Sequence, residues 1–449
     1  MASAKLSRTT TTPTSADIGT MSFWMKRSAI DLNNHYIISN YTDGSNYGYI
    51  RFKSGDQLQA FGNQSQDEKR TNRLFRDTSA WYHIVLRVDT TQSTASDRVR
   101  MYINGVQETS FSTNSNVSQN TDYDLFKSGG TMIIGHIQSG TATYFDGELA
   151  HFHYVDGQSY APTVFGETDA TTGIWKPKTS PGISQANYGN NGFFLKFDNS
   201  GNMGLDSSGN SHNLTTSGTI IQNKDTPSNV YATLNPLALG PNSVLSNVGN
   251  TCAMNAAAQF GAYSTLGVNS GKWYMEMKYS ARTHSYDRVM VGIAGNPNEL
   301  RRTPAFVGQP ADPTSYGYYV DGTRYQNDNS TSYGSSYTVG DIIGIALDLE
   351  NNRLFFSKNG TWQDSGDPTS STGAISITAP SSTVEGSYFF AVSDTTGSYG
   401  GTIQCNFGNG YFGTTAITSA GSNGNGSLFE YDVPTGYYAL NTKNLGTQS

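Results

Sequence analysis

Short runs in which apolar and polar residues alternate recur along the whole chain, and turn-forming residues close each run. In the first half they cover 21–26, 35–39, 47–53, 81–88, 99–103, 131–137, 147–155 and 192–197. In the second half they cover 271–279, 289–293, 316–320, 342–349, 353–357, 388–392 and 403–407. A period of two predicts strands with one face on a core and the other in water. The run Ile342-Ile343-Gly344-Ile345-Ala346-Leu347 is nearly all apolar and is expected at the centre of a sheet. Helical periodicity is almost missing, with short candidates only at 255–260 and 161–165. Many short strands with regular turn signals predict an all-β chain of antiparallel sandwiches.

A length of 449 residues accommodates two or three domains. The Ser/Gly/Asn-rich stretch 206–218 leads into Asp225-Thr226-Pro227-Ser228-Asn229, where the proline suits a linker. The expected division is an N-terminal arm at 1–16, a first sandwich with a C-terminal extension at 17–222, and a second sandwich at 228–445. No internal repeat is visible.

Composition sharpens this picture. Charged residues are 14% of the chain, against ~25% in an average soluble protein. The 49 glycines and 28 tyrosines favour turns and pleated surfaces over helices. A dispersed net charge of -7, with no basic run beyond Lys69-Arg70 and Arg73, argues against a nucleic-acid partner. No apolar stretch is long enough for a membrane-spanning helix, and no secretory signal is visible. Cys252 and Cys405 are too few for a disulfide-stapled module and are expected as buried free thiols, a bond between them being the alternative.

Particular motifs add a resemblance. Trp81-Tyr82-His83 opens one strand, and Met101-Tyr102-Ile103-Asn104-Gly105 ends the next in a hairpin pair. Met132-Ile133-Ile134-Gly135 and Gly147-Glu148-Leu149-Ala150-His151-Phe152-His153-Tyr154 follow. In this order, over about residues 15–165, they resemble laminin-G or concanavalin-like jelly rolls. The segments 173–178, 192–197, 206–212 and 232–237 are similar to parts of lectin-like proteins of tailed phages. The resemblance implies binding of glycan or protein through loops at one rim, sometimes around Ca²⁺. Asp146, Asp156, Asp206 and Asn210 are the candidate ligands. Calcium requires six to eight oxygens, and no Asp-x-Asp-x-Asp-Gly ladder is present, so no cofactor is expected beyond that ion. The same residue types also serve turns by bonding nearby backbone.

In the second half Gly271-Lys272-Trp273-Tyr274, Val291-Gly292-Ile293-Ala294 and Tyr316-Gly317-Tyr318-Tyr319 come in succession. Val339-Gly340-Asp341-Ile342-Ile343-Gly344 through Asp348, then Phe355-Phe356-Ser357-Lys358-Asn359-Gly360 and Asn406-Phe407-Gly408, complete the order of a SPRY domain over about 228–415. Trp273 and Phe355 read as core. The resemblance implies that binding lies in loops, here 282–287, 298–312 and 322–336. Tyr325, Tyr333 and Tyr337, set among Asn, Asp and Ser, are candidate ligand contacts, together with Asp321 and with Arg301 and Arg302.

Catalytic patterns are missing. There is no Glu-x-Asp-x-x-Glu; the nearest acid pairs are Asp348/Glu350 and Asp146/Glu148. His151 and His153 share a strand face without a third ligand, and neither a Gly-x-Ser-x-Gly elbow nor a phosphate loop occurs. The sequence is therefore read as a non-catalytic virion structural protein of a tailed phage: a fibre, spike or head-decoration component. Its expected partners are other virion proteins, further copies of itself, with a trimer as one form, and a host-surface glycan or protein. It would be assembled in the host cytoplasm and released by lysis, without nucleic acid or membrane insertion. The alternatives are a bacterial carbohydrate-binding module protein and an intracellular SPRY protein-binding adaptor.

Overall fold

The computed structural model describes residues 4–30, 33–63, 67–138, 143–178, 180–240, 243–254, 261–283, 285–298, 306–309, 313–395 and 400–448. The chain divides into two compact units, Met1–Gln222 and Asn223–Ser449. Each is built from antiparallel sheets, as the alternating runs require.

In the first unit one sheet runs Phe111–Asn114, Asp67–Leu74, Gln57–Asn63, Tyr47–Phe52, His35–Tyr41, Thr131–Ile134, Lys5–Thr9 and Thr215–Ser217. The other runs Phe193–Leu195, Gly147–Asp156, Ile18–Arg27, Tyr82–Asp89, Val99–Ile103 and Val106–Gln107. Met21, Phe23 and Met25 alternate inward and meet Ile50, Phe52, Leu58, Ile84, Leu86, Phe152 and Tyr154 in the core between the sheets. The second sheet is covered on its other face too. There Val85, Tyr102, Val155, Phe165, Tyr188 and Phe194 form a separate apolar layer. That second covering is why Ile18–Arg27 is buried along almost its whole length.

Residues 5–15 of the expected N-terminal arm are tied into the first unit. Lys5–Thr9 is a sheet strand, paired antiparallel with both Thr131–Ile134 and Thr215–Ser217, and Leu6 points into the core. Its polar Lys-Leu-Ser-Arg-Thr pattern commits only one side chain to the interior, so the apolar signal was too weak to register. The helix candidate at 161–165 is a single 3-10 turn, Pro162–Val164; the one at 255–260 lies outside the described residues.

Gly62 shows how tightly the first core is closed. The Tyr123 ring lies over it, so that an added Cβ would fall 1.8 Å from the ring. The Tyr123 hydroxyl meanwhile donates to the buried Asp67 carboxylate at 2.8 Å, which fixes the ring. Gly62→Ala is expected to cost about 3 kcal/mol, the upper range for overpacking, in a denaturant titration of the full chain.

In the second unit one sheet runs Ser243–Ser246, Thr251–Met254, Gly401–Asn406, Lys272–Arg282, Ile342–Asp348, Arg353–Lys358 and Thr361–Trp362. The facing sheet runs Gly261–Tyr263, Phe389–Asp394, Val289–Ala294, Tyr316–Tyr319, Thr323–Gln326 and Asn329–Ser332. Trp273, Met275, Ile343, Ile345, Phe356, Tyr318 and Phe390 fill the space between them. Tyr274, Ala346 and Phe355 point the opposite way, under Phe429, Val433 and Tyr437 of the C-terminal segment. Ile342–Asp348 is thus enclosed on both faces, which accounts for its unbroken apolar run. Cys252 and Cys405 are buried free thiols on neighbouring strands, and burial pushes the Cys252 thiol up to about 12.

Candidate functional site

The stretch 322–336, read from the sequence as a loop, instead forms a hairpin, Thr323–Gln326 with Asn329–Ser332. Asn327 and Asp328 make its turn with φ of 50° and 60°, the pair of left-handed residues that a two-residue hairpin connection requires. The first strand of the hairpin pairs with Tyr316–Tyr319, placing Arg324 opposite Tyr318. Directly opposed residues share a face, so Arg324, and across from it Thr331, continue the inner face to which Tyr318 belongs. Towards the sheet margin that inner face becomes polar and more exposed. Tyr316, Arg324, Gln326, Asn329, Thr331 and Ile375 line a cleft of about 300 Å³.

Its geometry is fixed from one side. The Tyr316 hydroxyl accepts from the Gln326 amide at 3.1 Å and from the Thr378 backbone N–H at 2.9 Å. Tyr316 and Ile375 are themselves buried and form the floor. Among the described residues the Arg324 guanidinium has neither a hydrogen-bond nor an ion-pair partner. Asn329–Ser332 is the last strand of its sheet and is exposed throughout. Alternation of the ladder from the Gln326/Asn329 pair directs the backbone groups of Ser330 and Ser332 outward. The site therefore offers a cation, several neutral hydrogen-bonding groups and a free strand edge.

The residues expected to bind divide sharply. Tyr325 lies at the cleft, but alternation turns its half-buried ring away from Arg324. The ring packs edge-on against Phe306 and Tyr319, both at 5.8 Å. Tyr333 and Tyr337 are core residues, not rim contacts, at 6% and 3% exposure. The Tyr333 hydroxyl accepts from the Phe356 N–H, and the Tyr337 hydroxyl donates into the sheet at the Tyr318 carbonyl, 2.9 Å away. Burial pushes the Tyr333 phenol up to about 12. Asp321 is exposed and caps its own turn, accepting from the Thr323 N–H at 2.8 Å and from its hydroxyl at 2.6 Å. Arg301 and Arg302 lie outside the described residues. Arg324 and Gln326 went unnoticed in the sequence; the available signal was Asn327-Asp328, a left-handed turn pair between two short polar runs.

The four candidate calcium ligands are not gathered at one point. Asp156 accepts the N–H groups of Thr14, Ser15 and Asn191. Asp206 accepts those of Phe194, Ser208 and His212. Asn210 donates to the carbonyls of Gly189 and Gly192, and Asp146 accepts from the Ser28 hydroxyl. These side chains pin chain segments together, and a cation would have to displace the N–H donors that hold them. Among the described residues no three His, Cys, Asp or Glu side chains are arranged to hold a metal.

The acid pairs and histidines are likewise engaged. Asp348 and Glu350 both face Lys272, at 3.4 and 3.5 Å. His83 stacks on Trp24 at 4.8 Å, accepts from the Trp175 indole at 2.9 Å, and is driven by burial down to about 3. His151 and His153 both stack on Phe194. His151 and Phe152 together oppose the single residue Phe23 there, a bulge that places His151 at a φ of 47°.

Comparison with known proteins matches this architecture domain by domain. A model of the concanavalin A-like lectin/glucanases superfamily matches residues 2–164, and a SPRY domain model matches residues 272–376. The chain carries a laminin-G-like, concanavalin-fold domain followed by a SPRY domain. An ATP-dependent RNA helicase DDX1 of Xenopus laevis is 29% identical over 128 residues, 28% of this chain and 16% of that protein. Ran-binding protein 9 of Homo sapiens is 31% identical over 107 residues, 23% of this chain and 14% of that protein. The matched stretch thus spans less than a fifth of either relative. The SPRY domain of human HERC1 is 17% identical, covering 38% of this chain and 96% of that one, with a TM-score of 0.30.

Proposed function

We propose that this chain is a non-catalytic binding protein whose SPRY domain takes an extended polypeptide segment bearing a carboxylate at the edge-hairpin cleft. The observation that carries this reading is the unpartnered Arg324 guanidinium beside a free strand edge. An added strand finds outward backbone groups at Ser330 and Ser332, and its alternate side chains enter the cleft. A carboxylate there meets the forked donors of Arg324, which suit bidentate contact. Neutral partners at Gln326, Asn329 and Thr331 accommodate the flanking polar groups. The Ran-binding relatives are named for a protein ligand, which supports the same ligand class here. This favours the protein-binding adaptor among the readings open from the sequence.

The test is selection of peptides from a random library by the full chain. Asp or Glu is expected to be enriched at one position. Arg324→Ala is expected to weaken the selected peptides at least tenfold, about 1.4 kcal/mol, and Arg324→Glu to abolish binding. Peptides without an acidic residue, or binding unchanged in Arg324→Glu, would refute the proposal.

A further inference from the structure

The inner face of the strand Asp67–Leu74 carries two ionisable side chains where a core ordinarily takes apolar ones. Lys69 stands directly opposite Ala60, a core residue, and directly opposed residues share a face. Asp67 is two positions away and so points the same way. Both are buried, Lys69 at 2% exposure and Asp67 at 1%. On its other side Lys69 stands directly opposite Asn114, in the edge strand Phe111–Asn114. The segment that follows is pinned. The Ser115 N–H donates to the Glu68 carbonyl at 3.0 Å, the Ser115 hydroxyl accepts from the Glu68 N–H at 2.8 Å, and Val117 is buried in the core.

An amine, a carboxamide and a carboxyl group meet here. The Lys69 Nζ lies 2.7 Å from the Asn114 Oδ1, with the Ser115 carbonyl at 2.8 Å and the Asn116 Oδ1 at 2.7 Å. The Asn114 carboxamide carbon is one C=O bond, ~1.2 Å, from that oxygen, which keeps it within ~4 Å of the amine. Asp67 completes the group. Its Oδ2 accepts from the Tyr123 hydroxyl at 2.8 Å. Its Oδ1 stands 4.0 Å from Nζ and, among the described residues, takes no hydrogen bond. A closed ion pair brings such an oxygen to ~2.8 Å. At 4.0 Å it is instead a proton acceptor held beside the amine. Burial pushes the Asp67 carboxyl up to about 6, against the pull of Lys69 and Tyr123, and burial also lowers the Lys69 amine. The two groups are driven towards each other, so a proton passes between them at small cost.

We propose that Lys69 and Asn114 join in an intramolecular isopeptide bond, formed by the chain itself with Asp67 as general base and acid. Asp67 takes one proton from the ammonium and leaves a neutral amine. The amine lone pair forms the Nζ–Cγ bond while the C=O π pair moves onto Oδ1. Asp67 then gives its proton to Nδ2 and takes another from Nζ. The C=O bond re-forms, the Cγ–Nδ2 bond breaks, and its electron pair leaves with ammonia. One N–H remains on the new amide, and no oxidant or further reactant enters. Asn114 is exposed, which gives the ammonia a path to water. The fixed approach of amine to amide supplies the effective concentration that this slow substitution needs. The product ties the last strand of the sheet covalently to its only neighbour there.

The test is the intact mass of the full chain, followed by peptide mapping. The chain is expected to be lighter by one ammonia than its sequence requires, with Lys69 and Asn114 recovered in a single branched peptide. Lys69→Arg, Asp67→Asn and Asn114→Ala are each expected to restore the full mass. Asn114→Ala changes an exposed position, and Asp67→Asn keeps an acceptor for Tyr123, so both are expected to retain the native circular dichroism. Succinimide formation at Asn-Gly pairs such as Asn359-Gly360 also releases ammonia, but that loss persists in Lys69→Arg. A full mass in the native chain, or an ammonia loss that persists in Lys69→Arg or in Asn114→Ala, overturns the proposal.

Discussion

Asp56→Ala is expected to lower the stability of the first domain by about 3–5 kcal/mol, the cost of breaking a buried ion pair from one side. Asp56 is wholly buried and Arg27 is 2% exposed, and they meet at 2.8 Å. Arg76 adds a second, more exposed cation on the other carboxylate oxygen at 3.1 Å. The Arg27 guanidinium lies 4.3 Å above the Phe52 ring and donates to the Phe75 carbonyl, so it is fixed in place and has no route to water. Without Asp56 that charge keeps one carbonyl and one ring face, which do not offset its desolvation. The loss is a large fraction of the ~5–15 kcal/mol that holds a typical domain together. Replacing both partners, as Arg27→Met with Asp56→Ala, is expected to be much milder than Asp56→Ala alone, because no buried charge is then stranded. Denaturant titrations of the two variants beside the native chain check this; a loss below about 1 kcal/mol in Asp56→Ala would contradict it.

Glu276→Ala is expected to be comparably severe in the second domain and to change its pH dependence. Glu276 lies on the central strand Lys272–Arg282, fully buried on the face that the C-terminal segment covers. Its carboxylate accepts the N–H groups of Glu430 and Tyr431, both at 2.8 Å, the Tyr274 hydroxyl at 3.2 Å and the Asn406 amide at 3.3 Å. One side chain thus fastens the segment that carries Phe429 onto Tyr274 and Phe355. Removing it strands two buried N–H groups at about 1–3 kcal/mol each. Burial, only partly opposed by the four donors, pushes this carboxyl up to about 7 from 4.5. A folded-state value above the unfolded one means that stability is fully present below about pH 4.5 and falls as pH rises through 7. The decline amounts to about 3 kcal/mol between those limits. Thermal midpoints between pH 4.5 and 8 should therefore fall for the native chain. The Glu276→Ala profile should be lower and flatter in that range.

The strands were legible because alternation is a property of the residues themselves. Val99–Ile103 and Ile342–Asp348 show it or its fully buried counterpart, and both lie where the pattern puts them. Lys5–Thr9 and the edge hairpin were not legible, since strands of Ser, Thr, Asn and Arg at a sheet margin bury too little to leave a period. Arg27, Asp56 and Glu276 were passed over for a related reason: charge ordinarily reads as solvated surface, and only the partners show otherwise. Tyr333 and Tyr337 were placed at a rim because polar neighbours surround them in sequence. In space they fill the end of the sandwich against Tyr318 and Phe356. Of the expected site residues that are described, only Tyr325 falls at the cleft, and the proposed carboxylate contact falls to Arg324 beside it. The virion setting drew on surface composition and on the pairing of folds; portal, capsid and tail genes flanking this one would be its test.

We read the edge hairpin of the SPRY domain as a working binding surface. Hydrogen exchange of the full chain, with and without a peptide selected as above, tests it most directly. Protection is expected to concentrate at residues 316–317 and 324–332, with Ser330 and Ser332 slowed as their outward N–H groups gain partners. Protection confined to 282–287, or spread elsewhere with the hairpin unchanged, would contradict it.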